Sequence, residues 1–211
     1  EFCLVDTILL TANNSLMPSI WDFGNSNSSN NSSTFTTFDN YGTFNVSLSQ
    51  TSTNGCSSTK DTVVIVHPVP KALTNKPTDQ CSGLPLTFNS LSTVENNNTI
   101  INHDWYFNYP STSVPISGQN PPEKIFPDTG QHIIQLTVKT NNNCISSILD
   151  TVFIYPNPDI DFGQDSISTC GNSYLLNAPQ NCTNFWSNGT TADSLIVNYS
   201  GDFFLRSTNL N

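Results

Sequence analysis

Apolar residues in this chain recur at alternate positions in short blocks separated by polar, glycine- and proline-containing stretches. Period-two alternation marks strands with one face buried. Phe44-Asn45-Val46-Ser47-Leu48 and Ile134-Gln135-Leu136-Thr137-Val138 are the clearest cases. β-branched runs at Thr62-Val63-Val64-Ile65-Val66 and Thr151-Val152-Phe153-Ile154 predict further strands. No stretch has helical periodicity with capping residues. The pattern predicts an all-β protein.

The blocks also repeat. Cys3, Cys81 and Cys170 each precede a strand candidate and lie 78 and 89 residues apart. The candidates are Thr7–Ala12, Leu84–Asn89 and Tyr174–Ala178. A tryptophan strand follows each: Ile20-Trp21-Asp22-Phe23, then His103-Asp104-Trp105-Tyr106-Phe107, then Asn184-Phe185-Trp186-Ser187. Gly42, Gly130 and Gly201 then open the alternating strands, since glycine allows the backbone of a tight turn. In the first two repeats a late cysteine, Cys56 or Cys144, precedes the β-branched closing strand. Pro68-Val69-Pro70 and Pro156-Asn157-Pro158 follow those strands, and paired prolines favour an extended link. The expected architecture is three tandem β-sandwich modules at 1–68, 69–157 and 158–211, joined by short Pro-rich linkers. The third, shorter and without a late cysteine or a closing strand, is expected to be truncated. The Asn/Ser-rich run from Asn25 to Ser33 is expected to be a flexible loop.

Composition narrows the function. Only 10% of residues are charged, against about a quarter in ordinary domains, and 81 positions are Asn, Ser or Thr. The net charge is −10, and the six basic residues are scattered, so no phosphate-binding patch can form. Nucleic acid and anionic membrane surfaces are therefore not expected partners, and no apolar run is long enough to span a bilayer. The chain opens on Glu1-Phe2-Cys3 and shows no signal peptide, so an exported protein would be a processed chain or an internal piece. Six cysteines with no Cys-x-x-Cys spacing suit an oxidising compartment better than a zinc site.

Trp21-Asp22-Phe23-Gly24, Tyr41-Gly42-Thr43-Phe44-Asn45-Val46-Ser47-Leu48 and Asn54-Gly55-Cys56 together resemble the polycystic-kidney-disease (PKD) domain, an immunoglobulin-like β-sandwich. The first module keeps the pattern, with Asn25-Ser26 where Asp-Gly is usual. In the second, Trp105-Tyr106-Phe107-Asn108 replaces the Trp-Asp-Phe-Gly run. The third, through Trp186-Ser187-Asn188-Gly189 and Tyr199-Ser200-Gly201-Asp202-Phe203, is similar to short immunoglobulin-like repeats of Bacteroidota surface proteins. The resemblance implies adhesins, gliding-motility surface filaments or spacers of secreted hydrolases, and so an extracellular or cell-surface location.

Candidate chemistry is sparse. His67, His103 and His132 lie in no nucleophile or zinc-ligand spacing. Asp22, Asp39, Asp104, Asp128, Asp159 and Asp161 raise the question of calcium, but turn and strand-end roles explain them more simply. Trp21, Trp105 and Trp186 hold repeated positions and are expected in the cores. Five Asp-Ser/Thr-aliphatic triplets resemble the O-glycosylation signal of Bacteroidota exported proteins, with Thr7, Thr62, Thr151, Ser166 and Ser194 as acceptors. Strand entry accounts for the same triplets.

These features predict no catalytic residues, no cofactor and a structural role. The expected function is a stalk or filament segment of a secreted surface adhesin, contacting neighbouring modules or copies of itself. The alternative is a glycan- or protein-binding accessory array of a secreted hydrolase. One disulfide per module is expected, placing Cys3 with Cys56 and Cys81 with Cys144, each worth about 4 kcal/mol in the chain-entropy model. Cys170 has Cys182 across a short loop, or a cysteine beyond Asn211, as its expected partner.

Overall fold

A computed structural model describes residues 1–164 and 166–209. All regular elements among them are strands. The chain divides into two compact units, one of Glu1–Pro77, Thr87–Glu123 and His132–Thr151, the other of Thr78–Leu86, Lys124–Gln131 and Val152–Asn211.

In the first unit, strands β1 (Phe2–Cys3), β2 (Ile8–Thr11), β3 (Ser19–Asp22), β4 (Ser28–Ser29), β5 (Ser33–Thr36), β6 (Gly42–Thr51) and β7 (Ser57–His67) make the first sandwich. One sheet has the order β1-β7-β6-β3-β4, and β2 with β5 forms the facing layer. Alternation along these strands turns Ile8, Trp21, Phe23, Val46, Val64 and Val66 inward, with Ala12 and Phe38, to form the core. The Asn/Ser-rich run is not a loose loop: Trp21 and Asp22 pair with Ser29 and Ser28, and the Trp21 indole N–H donates to the Asn31 carbonyl at 3.0 Å. A buried indole needs such an acceptor, and the run supplies it.

Of the second sandwich, β8 (Gln80–Cys81), β9 (Ile100–Phe107), β10 (Ile116–Ser117), β11 (Gly130–Thr140) and β12 (Ile145–Tyr155) are the strands. In the first unit β9 lies between β10 and β11. Trp105, Leu136 and Val138 are fully buried there, and Phe88 packs on Phe107 with ring centroids 4.9 Å apart. The expected strand over Leu84–Asn89 is not continuous. Pro85 has no N–H to give a ladder, and the isolated bridge Leu86↔Lys124 lies there instead.

In the second unit β8 pairs parallel with the end of β12, through Ile154↔Gln80 and Tyr155↔Cys81. Strands β13 (Tyr174–Asn177), β14 (Cys182–Trp186), β15 (Ser194–Val197) and β16 (Leu205–Asn209) complete the chain's set. They form two small sheets, β13-β15 and β14-β16, around Ala178, Trp186 and Leu195. The strand expected directly after Gly201 starts four residues later, at Leu205.

The three tryptophan strands end alike. The third residue after each tryptophan, Gly24, Asn108 or Gly189, has a left-handed φ of 71°, 63° or 85°. At Gly24 a Cβ would stand 2.6 Å from the Asn45 carbonyl oxygen, so that position needs glycine. Asn108 shows why the second repeat dispenses with it, because asparagine tolerates this conformation.

Candidate functional site: the joint between the first two sandwiches

Two local structures meet at this joint. The first is the end of the first sandwich, where β1 runs parallel to the end of β7 and Cys3 lies opposite His67. The Leu4 N–H donates to the His67 carbonyl at 2.9 Å, and Asp6 Oδ2 accepts from the Cys3 N–H at 2.7 Å. The second is the turn between β11 and β12, Asn141-Asn142-Asn143-Cys144. Its Asn143 sits at φ 65°, and the Thr140 Oγ1 accepts from the Cys144 N–H at 3.1 Å.

Cys3 and Cys144 are joined by a disulfide, with Cα atoms 5.6 Å apart and 141 residues of chain between them. Cys144 is fully buried. Around the bond lies a hydrogen-bonded chain. The Asn98 amide donates to the carbonyls of Glu95 at 2.9 Å and Asn96 at 3.1 Å, which turns its oxygen toward Asn142. Asn142 Nδ2 therefore donates to Asn98 Oδ1, and also approaches His67 Nδ1 at 3.1 Å. An amide N–H₂ can only donate, so His67 Nδ1 is the acceptor and the ring proton resides on Nε2. That nitrogen faces the Glu1 carboxylate at 3.5 Å.

A third contact joins Tyr41, beside the first residue of β6, to Glu95. Its hydrogen bond to the Glu95 carboxylate, then the carboxylate's charge, and last desolvation hold the Tyr41 pKa above its ordinary 10.0. The linker itself is covered: Pro68 and Pro70 are buried, and the Lys71 N–H donates to Thr93 O at 2.8 Å. The joint is thus covalent, hydrogen-bonded and packed.

This arrangement corrects the expected pairing. Cys56 sits in the β6–β7 turn, whose innermost pair is Thr51↔Ser57, while Cys3 lies opposite the far end of β7. At about 3.3 Å per residue, the length of β7 puts them on the order of 30 Å apart, whereas bonded cysteines need Cα atoms within about 7 Å. The second repeat is built the same way, with Cys144 just before the first residue of β12 and Cys81 opposite its last. Cys56, Cys81 and Cys170 carry free thiols, so neither the Cys81–Cys144 nor the Cys170–Cys182 bond is formed. The length of the closing strands was the missed signal. Nothing in the sequence singled out Asn98, Asn142 or Glu95, and Tyr41 counted only within the Tyr41–Leu48 motif.

Among the acceptors for O-glycosylation, Thr7, Thr62, Thr151 and Ser166 are exposed and Ser194 is half-buried. Asp165 of the Ser166 triplet lies outside the described residues. The aspartates considered for calcium are dispersed. Asp22 caps the Gly24 N–H at 2.9 Å, Asp161 caps the Gly163 N–H at 2.6 Å, and Asp104 accepts from Asn102 and Ser117, each at 2.6 Å. Trp21, Trp105 and Trp186 are buried, each donating its indole N–H to a loop carbonyl. Of the histidines, His132 is buried against Asn108 and His103 is half-buried in β9. No described helix is long and apolar enough to cross a membrane.

No family model matches the chain, and no curated protein matches it. Among solved structures it is similar to the fibronectin(III)-like modules of Clostridium thermocellum CbhA, at 13% identity and a TM-score of 0.38, covering 74% of this chain and 88% of that one. It is also similar to immunoglobulin domains 1–5 of Sidekick-1, at 12% identity and a TM-score of 0.31, covering 92% of this chain and 49% of the other. At such scores these neighbours carry no functional argument. The strand orders above show β-sandwich modules in tandem.

Proposed function

We propose that the chain is a non-catalytic spacer, a stalk or filament segment of a secreted bacterial surface adhesin. The observation that carries this reading is the Cys3–Cys144 bond, which crosses from one sandwich to the next instead of stapling either internally. A bond inside a sandwich stabilises that fold alone. A bond across a joint removes the bending freedom that adjacent domains otherwise keep. Stiffness between successive units is what a stalk requires, and a disulfide suits an extracellular setting. The PKD resemblance of the first module points the same way.

Spin labels at Thr34 in the first sandwich and at Ser113 in the second test the reading by pulsed electron-resonance distances. A single narrow distribution is expected in the oxidised protein. A broad one with the bond intact would sink the spacer reading.

The alternative, a glycan- or protein-binding array, draws support from an open groove in the third sandwich lined in part by Tyr174, Tyr199 and Phe203. A reproducible glycan-array hit lost in Tyr199→Ala would favour it.

A further inference from the structure

The β6–β7 turn of the first sandwich reproduces the turn that receives Cys3, bond for bond. The Thr140 N–H donates to the Cys144 carbonyl at 2.9 Å, and the Ser52 N–H to the Cys56 carbonyl at 2.8 Å. The Asn143 N–H donates to Thr140 O and the Gly55 N–H to Ser52 O, both at 3.0 Å. A hydroxyl accepts from each cysteine N–H, Thr140 Oγ1 at 3.1 Å and Ser52 Oγ at 3.2 Å. The residue before each cysteine is left-handed, Asn143 at 65° and Gly55 at 82°. Asn54 holds the position of Asn142, two residues before the sulfur. In the second sandwich this turn is occupied, its cysteine bonded and its asparagine bridging the neighbour. In the first, Asn54 and Cys56 are both exposed and the thiol is free.

We propose that the Asn54-Gly55-Cys56 turn is a docking site for the linker end of another sandwich of this build, one placed ahead of it in the same polypeptide. That end presents a first-strand cysteine beside its closing strand, as Cys3 lies beside His67, and the cysteine bonds to Cys56. The identity of the occupant comes from the equivalent turn, where the linker end of the preceding sandwich is seated. The reaction is a two-electron oxidation. Two thiols lose two protons and two electrons to a disulfide oxidant such as oxidised glutathione, which leaves as two reduced glutathiones. A short linker holds the thiols at an effective concentration on the order of millimolar, so closure within one chain outruns bonding between chains. The proposal rests on the spacer reading and names the partner of its next joint.

The test appends a second sandwich to the N-terminus of the intact chain. One fusion carries an extra copy of residues 1–71, offering its own Cys3, and another an extra copy of residues 69–159, offering its own Cys81. Each is refolded with oxidised and reduced glutathione, and peptides are mapped without reduction. The expected result is a monomer with Cys56 bonded to the appended first-strand cysteine in at least one fusion, with Cys3–Cys144 also present. Cys56→Ser should remove that bond alone. Asn54→Ala should slow its formation several-fold. A free Cys56 in both fusions, with Cys3–Cys144 formed, would overturn the proposal. So would symmetric Cys56–Cys56 dimers or Cys56–Cys81 bonds between copies. None of these outcomes alters the spin-label distances in the intact chain, so this proposal and the spacer reading can fail separately.

Discussion

Cys3 and Cys81 occupy the same local structure. Each ends a two-residue strand parallel to the last residues of a closing strand, opposite His67 and Tyr155 respectively. The next N–H donates across the pair at 2.9 Å in both, from Leu4 to His67 O and from Ser82 to Tyr155 O. Yet Cys3 is bonded and Cys81 is a free thiol. The difference lies in the stretch of chain beyond each linker. After Pro68-Val69-Pro70 comes a sandwich whose β11–β12 turn carries Cys144, whereas Cys170 and Cys182, the cysteines beyond Pro156-Asn157-Pro158, both lie ahead of the strand that follows Gly201 and not in a turn after it. Cys3 is thus half of a joint, its partner supplied by the sandwich that follows it in the chain.

The largest expected effect falls on the bonded end. Cys144→Ser removes a cross-link spanning 141 residues, which the chain-entropy model values at about 5 kcal/mol and measured cases more often at about 2–4. Cys81→Ser removes no cross-link from its half-buried position and should cost no more than about 1 kcal/mol in urea unfolding. Equal losses in the two variants would break the comparison.

The hydrogen-bonded chain gives the next effect. Asn142→Ala leaves Asn98 Oδ1 and His67 Nδ1 without their donor, a cost of about 1–3 kcal/mol for partly buried polar groups. Asn54→Ala, at the matching exposed position, should be neutral in the intact chain. Thermal midpoints of the pair measure how much of the joint's strength lies outside the disulfide.

The strands, the cores and the tandem layout were legible because burial writes itself as alternation. Trp21, Trp105 and Trp186 recur at one strand position and all are buried. The joint was far less legible. Cys56 and Cys144 each look like the partner of the cysteine that opens their own repeat, and only strand length shows that the two lie at opposite ends. Asn98 and Asn142 sit in Asn-rich runs where composition hides a specific role, since each matters only through a residue on the other side of the joint. Pro85 likewise reduced an apparent strand to isolated bridges, a local veto that periodicity does not register.

A smaller effect is expected at Tyr41. Interaction with the Glu95 carboxylate raises the Tyr41 pKa in the fold, so the contribution is present below pH 10.0 and is lost as pH rises through the folded value. Tyr41→Phe should remove that alkaline dependence and destabilise the protein less than Asn142→Ala. An unchanged alkaline profile in the variant would remove the Tyr41–Glu95 contact from the joint.

The smallest effect separates the two sandwiches themselves. The position two before the tryptophan is Ser19 in the first and His103 in the second. Ser19 is buried and satisfied, donating to Met17 O at 3.0 Å and accepting from Gln50 Nε2 at 3.0 Å. His103 Nδ1 is buried without a hydrogen-bond partner. Desolvation lowers the His103 pKa below 6.5, with the Asp104 charge opposing it. A depressed histidine pKa means the unfolded chain takes up the proton first. The stability it confers is therefore complete above pH 6.5 and declines as pH falls from there through the folded value. His103→Asn should flatten that decline while leaving the joint unchanged, and Ser19→Ala should not affect the acid profile. Titration of the His103 ring by NMR gives the direct reading: a midpoint below 6.5 is expected, and a midpoint at or above it would mean that the Asp104 carboxylate outweighs burial in β9.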